Sequence, residues 1–135
     1  MRGPFAEVAP PLWSEFLVRI QQFDRRHICE YLGMSGIDKA RSDNDAMIYQ
    51  AGVAVARKMH LPAGLQQREI KSGKYARFFL TGRYARIWMA FDGAFTILAE
   101  KKVTLRSEFC IENYLNNPSV TPEGELKTEL LIPIA

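Results

Sequence analysis

The chain has 135 residues, 24% of them charged and 47% apolar, with a formal net charge of +3 and two cysteines. That length and apolar share fit one domain, residues 1–135, with a sizeable core, and they exclude a disordered chain. The mild charge comes with no extended basic cluster, so direct DNA binding is not expected.

The densest basic runs, Arg25–Arg26–His27 and Lys101–Lys102, read as solvated surface, the second lying directly after Glu100. No apolar run is long enough for a bilayer and no signal-peptide pattern opens the chain, so no membrane partner and a cytoplasmic location are expected. Cys29 and Cys110 are too few for a disulfide framework and stand at no convincing metal-ligand spacing from His27 or His60. They read as two buried free thiols, and neither a metal nor a cofactor is expected.

In chain order, Phe5, Val8, Ala9, Leu12, Trp13, Phe16, Leu17, Ile20 and Phe23 recur at three and four residues, which predicts an amphipathic helix. Pro10 and Pro11 interrupt it, and proline suits a first helical turn but not an interior. The regular helix is therefore expected to begin near Pro10 after a Gly3–Ala9 turn, the alternative being a short helical turn before a kink. His27–Gly33 reads as a short strand, Ser35–Asn44 as a loop, and Ala46–Val55 as a buried strand with Met47, Tyr49, Ala51, Val53 and Val55 on one face. His60–Gly64 is a loop carrying Pro62. Leu65–Ile70 and Lys74–Leu80 read as strands around a Ser72–Gly73 bend. Tyr84, Ile87, Trp88, Phe91, Phe95 and Leu98 restore the helical period, slightly weakened by Gly93.

The tail reads as strand, polar turn, strand. Phe109, Ile111, Asn113 and Leu115 share one face, and Cys110, Glu112 and Tyr114 the other. Asn116, Asn117, Pro118, Pro122 and Gly124 break the chain. Thr128, Leu130, Ile132 and Ile134 form the next stripe, with Pro133 suited to an edge or a strand end. Glu112 stands out as an acid in mid-strand, two residues from a tyrosine.

The two halves resemble each other. Gly3, Phe5, Ala6 and Phe16 align at a constant offset with Gly82, Tyr84, Ala85 and Phe95, and Glu30–Tyr31–Leu32 falls roughly opposite Glu112–Leu115. A duplicated βαββ unit explains this, with pseudo-repeats at about 1–60 and 65–135. The expected fold class is α+β with an antiparallel sheet. Only Met1–Arg2 precede Gly3, so the opening strand of the first unit is expected either to lie upstream in a longer chain or to be absent, which leaves a neighbouring strand with an open edge. A strand left with an open edge is usually covered by another chain, so a homodimer is expected.

The run I-E-N-Y-L-N-N-P…T-P-E-G-E-L-K-T-E-L-L-I-P-I resembles the end of the GyrI-like small-molecule-binding domain, which also serves as the effector-binding half of AraC-type and MerR-type transcription regulators. Ser72–Tyr84 (S-G-K-Y-A-R-F-F-L-T-G-R-Y) resembles that family's central strand-and-turn motif, and Gly3–Val8 the turn that opens its first helix. The resemblance covers nearly the whole chain. It implies two βαββ units with both helices on one face and a central ligand groove. It also implies that an acid in the Glu112 strand meets cationic, lipophilic ligands.

Read from residues alone, Glu112 is a solvated strand acid or one held by a lysine across the ladder; the resemblance makes it a ligand contact. Tyr114, Tyr49, Trp13, Trp88 and Phe91 are core aromatics at strand or helix spacing, or else the walls of a cleft for a planar, greasy ligand. Glu30 mirrors Glu112 and reads as exposed. Asp43, Asn44 and Asp45 resemble a calcium-loop fragment but lack the glycine and distal glutamate. Three functions follow: a stand-alone sensor binding a small lipophilic or cationic molecule, possible in a drug, toxin or transcription response; a hydrolase of reactive toxins using Glu112 with Tyr114; and a gyrase-inhibitor-like interaction module. The first is preferred, with no catalytic residue assigned.

Overall fold

The computed structural model describes residues 5–22, 25–37, 47–55, 61, 64–70 and 72–135. The chain divides into two compact units, Met1–Ser72 and Gly73–Ala135. Gly3, Phe23, the Asp43–Asp45 run, Ala46, His60 and Pro62 lie outside the described residues. The observed class is α+β, with antiparallel strands and two helices.

The N-terminal unit opens with helix α1, Phe5–Arg19, followed by strands β1, Ile28–Ile37, and β2, Met47–Val55. The helix begins at Phe5 rather than near Pro10, and both prolines lie inside it. Together they remove two backbone donors, and an interior proline costs about 3 kcal/mol. Burial downstream offsets this: Phe16 and Ile20 are both buried, each worth roughly 1.5–3 kcal/mol. Ser14 Oγ also donates to the Pro10 carbonyl at 3.1 Å, and Glu15 pairs with Arg19 one turn on at 2.9 Å.

Strands β1 and β2 pair antiparallel, with Ser35 opposite Tyr49 and Ile37 opposite Met47. β1 thus continues four residues past the expected end at Gly33. Ser35 and Gly36 have loop-forming composition, yet the ladder against β2 pairs them and buries Ser35. The register shifts between Ile28 and Glu30, leaving Cys29 as the extra residue of a bulge. This corrects the expectation for the thiols, because Cys29 is exposed. Leu65–Ile70 is likewise corrected: it forms no strand, and its polar centre, Gln66–Glu69, is exposed. Two apolar ends around four polar residues offer no face to bury. The segment is tied instead through a side chain, Arg68 Nη1 donating to Gln50 Oε1 at 2.6 Å.

The C-terminal unit runs β3, Lys74–Thr81; α2, Ile87–Glu100; β4, Cys110–Tyr114; and β5, Lys127–Ile134. Its strands lie in the order β4-β5-β3. Phe78 faces Leu130 across β3–β5, and Glu112 faces the same Leu130 across β4–β5. Alternation then puts Cys110, Glu112, Tyr114, Thr128, Leu130, Ile132, Ala76 and Phe78 on one face. Helix α2 covers that face: Ala94 and Leu98 pack on Ile132, with Ala76, Phe78, Phe91, Val103 and Cys110 around them.

Local chemistry fixes the ends of these elements. Gly82 has a φ of 139° and donates to the Leu126 carbonyl at 2.8 Å, a backbone conformation that disfavours any side chain. Helix α2 closes with Lys102 in the left-handed region, its N–H on the Ala99 carbonyl and that of Val103 on Leu98. In the β4–β5 turn, Asn116 accepts from Lys127 N at 2.9 Å and donates to the Glu125 carbonyl at 3.1 Å. The turn residues thus clamp the register that places Glu112 beside Leu130.

Candidate functional site

Glu112 is 5% exposed, in the centre of β4 on the helix-covered face. Tyr114, two residues on and on the same face, donates its hydroxyl to Glu112 Oε2 at 2.5 Å. The Tyr84 ring, in the 3-10 turn before α2, lies 5.2 Å from that of Tyr114 at 53°. Among the described residues, no basic side chain pairs with Glu112. The solvated and lysine-paired readings of this residue both give way to a buried acid held by a tyrosine.

Burial raises the Glu112 carboxyl above its ordinary range, because desolvation penalises the carboxylate; the Tyr114 hydroxyl pulls the other way. Neighbouring groups respond to the same surroundings. The Cys110 thiol is pushed up to about 11, first by burial and then by the Glu112 charge. Burial also raises the Tyr84 phenol. The Tyr84 hydroxyl and Thr128 Oγ1 are buried with no hydrogen-bond partner. Thr128 faces Tyr114 across β4–β5. Sequence periodicity placed Tyr84 and Thr128 on these elements but assigned neither to the site. The missed signal was Tyr84, which precedes Trp88 by four residues on the same helical row.

Along α2, Phe91 packs against the core and stacks on Phe95 at 6.2 Å, while Trp88 is 59% exposed. The row Tyr84, Trp88, Phe91, Phe95 therefore starts beside Tyr114 and emerges into solvent. In the N-terminal unit, Trp13 of α1 donates Nε1–H to the Tyr49 hydroxyl at 2.8 Å and stacks on Phe16 at 5.7 Å. Tyr49 is 1% exposed, a core residue of that unit. Glu30 is exposed on β1. Of the aromatic groups among the described residues, Trp13 with Tyr49 is joined by a neutral hydrogen bond, whereas Tyr84 with Tyr114 adjoins an acid, Glu112. Among the described residues no cluster of three metal-ligating side chains occurs, and no helix is long and apolar enough to cross a membrane.

A small α+β domain with a buried, tyrosine-held acid on its helix-covered face is the class of protein these observations define. The family profile described as a GyrI-like small molecule binding domain matches residues 1–135, and the chain belongs to that family. A solved structure described as an uncharacterized conserved protein from Listeria innocua is similar in fold, with a TM-score of 0.57 at 10% identity, covering 100% of this chain and 84% of that one. No curated protein matches the chain.

Proposed function

We propose that this small-molecule-binding domain takes a lipophilic cation and that Glu112 is the acid that meets it. The observation that carries this reading is a buried carboxyl with a tyrosine partner and no basic partner among the described residues. Such a group is costly to ionise alone, and an incoming cation removes that cost. Tyr84, Trp88 and Phe91 supply flat apolar surface for the rest of the ligand. Because Glu112 is covered, the ligand must displace what covers it, so binding is coupled to local opening.

The cation favours the ionised carboxylate, so binding expels the proton that burial retains, and affinity for the cation rises with pH. The test is calorimetry with a lipophilic cation and a neutral analogue of the same shape, on the parent and on Glu112→Gln. Truncating one partner of a buried charge pair costs about 2 kcal/mol or more, roughly thirtyfold in affinity. The cation is expected to weaken by that much in the variant while the neutral analogue is unchanged. Equal loss for both ligands, or none for either, would remove Glu112 from the site.

The hydrolase reading draws on the same Tyr114–Glu112 pair, since a buried carboxyl whose pKa is raised is suited to general acid–base work. Turnover of a cyclopropane-bearing electrophile by the parent, lost in Glu112→Gln, distinguishes it from binding alone.

A further inference from the structure

The opposite face of the C-terminal sheet carries a charged group with unsatisfied donors, Arg106. Tyr75 of β3 faces Pro133 of β5, and alternation turns both away from the face that holds Glu112. Residues 104–106 run beside the end of β5: Leu105 bridges Ile134, Arg106 N donates to the Pro133 carbonyl at 3.0 Å, and Ala135 N to the Thr104 carbonyl at 2.9 Å. From there the Arg106 side chain reaches the Tyr75 ring, its Cζ 5.0 Å from the ring centre. It ends against Gly73, where an added Cβ would lie 1.4 Å from Nη1. A glycine at this point leaves the space the guanidinium occupies.

Arg106 Nε and Nη2 are both buried and have no hydrogen-bond partner. These two N–H groups form one edge of the guanidinium and point the same way, which is the pair that grips a carboxylate with two parallel bonds. Among the described residues no carboxylate pairs with Arg106. Arg77, on the same face, differs: it has Glu129 at 3.7 Å. A charged fork with two dry, empty donors is unstable as it stands and calls for an acceptor.

The geometry points to an anion site at Arg106 that takes the carboxylate of a small planar molecule, with the Tyr75 ring as its shelf. The choice of a carboxylate rests on the flat fork, the flat ring and a single positive charge, which matches one negative charge rather than two. Arg106 is half-buried as a residue while Nε and Nη2 are themselves covered, so the carboxylate must displace what covers the fork. This site lies on the other face from Glu112 and does not depend on the cation reading.

The test uses benzoate, with inorganic phosphate and chloride at matched ionic strength as comparisons. The whole protein is labelled with nitrogen-15, and the Arg106 Nε–H resonance is followed by NMR. Benzoate is expected to shift that resonance saturably and to raise the melting temperature, with phosphate weaker and chloride without effect. Arg106→Lys keeps the charge but loses the fork, so benzoate should bind about tenfold or more weakly. A stronger response to phosphate would overturn the carboxylate assignment. An Nε–H signal that ignores every anion would overturn the site, and this readout needs no variant to fold.

Discussion

Two side-chain hydrogen bonds, one in each unit, each use a tyrosine hydroxyl and differ in what that hydroxyl meets. In the N-terminal unit, Trp13 donates to the Tyr49 hydroxyl, a neutral donor meeting a neutral acceptor. In the C-terminal unit, Tyr114 donates to Glu112, and the acceptor is an acid that burial keeps from ionising freely. Neither partner of the first pair is an acid, and Tyr49 is buried in the core of its unit. The second holds a buried acid in place, and that is the feature on which the proposed binding role rests.

The largest expected contrast is kinetic and compares the cysteines of the two units. Cys29 sits exposed in its bulge, whereas Cys110 is half-buried beside Glu112 with its thiol pushed up to about 11. At about pH 8 only about one Cys110 in a thousand is thiolate. Iodoacetamide labelling followed by peptide mass spectrometry should modify Cys29 first, with Cys110 lagging by orders of magnitude until the protein unfolds. Equal rates would mean that the β4 face is open to solvent.

Next in size is the truncation of the neutral pair. Tyr49→Ala removes a side chain that is 1% exposed and should cost about 3–5 kcal/mol in denaturant unfolding, with little change between acid and neutral pH. A small cost would mean that Tyr49 is not part of the N-terminal core.

The smallest effect is the most informative. The folded pKa of Glu112 is raised above its unfolded value. Its contribution to stability is therefore fully present below the ordinary glutamate pKa and is lost as pH rises through the folded pKa. Glu112→Gln keeps an oxygen to accept from Tyr114 and cannot ionise. The variant should unfold at the same temperature as the parent in acid and at a higher one at neutral pH. The gain is on the order of 1–3 kcal/mol, the usual cost of a buried polar group left short of partners. A variant less stable than the parent at neutral pH would show that Glu112 is ionised and paired in the folded protein, and the contrast between the two pairs would disappear.

Much of this was legible from residue order alone. The period of Ile87, Phe91 and Leu98 marked α2, and the alternation from Cys110 to Tyr114 put Glu112 and Tyr114 side by side, because helix and strand geometry fixes which residues share a face. The Asn116–Asn117–Pro118 break announced a turn between β4 and β5. The path of α1 through Pro10 and Pro11 was not legible, since local preference opposes it and burial of Phe16 and Ile20 overrides that preference. The extension of β1 through Ser35 and Gly36, and the bulge at Cys29, were set by β2 across the ladder. Burial of Glu112 required α2 and the neighbouring strands to be in place. The Arg106 fork depended on residues 104–106 lying beside Pro133 and Tyr75, a juxtaposition far apart in the chain. Sequence determined the elements and the faces of their side chains, because those depend on neighbours a few positions away. Tertiary structure alone decided which charges lost their water, because desolvation depends on segments that meet only after folding.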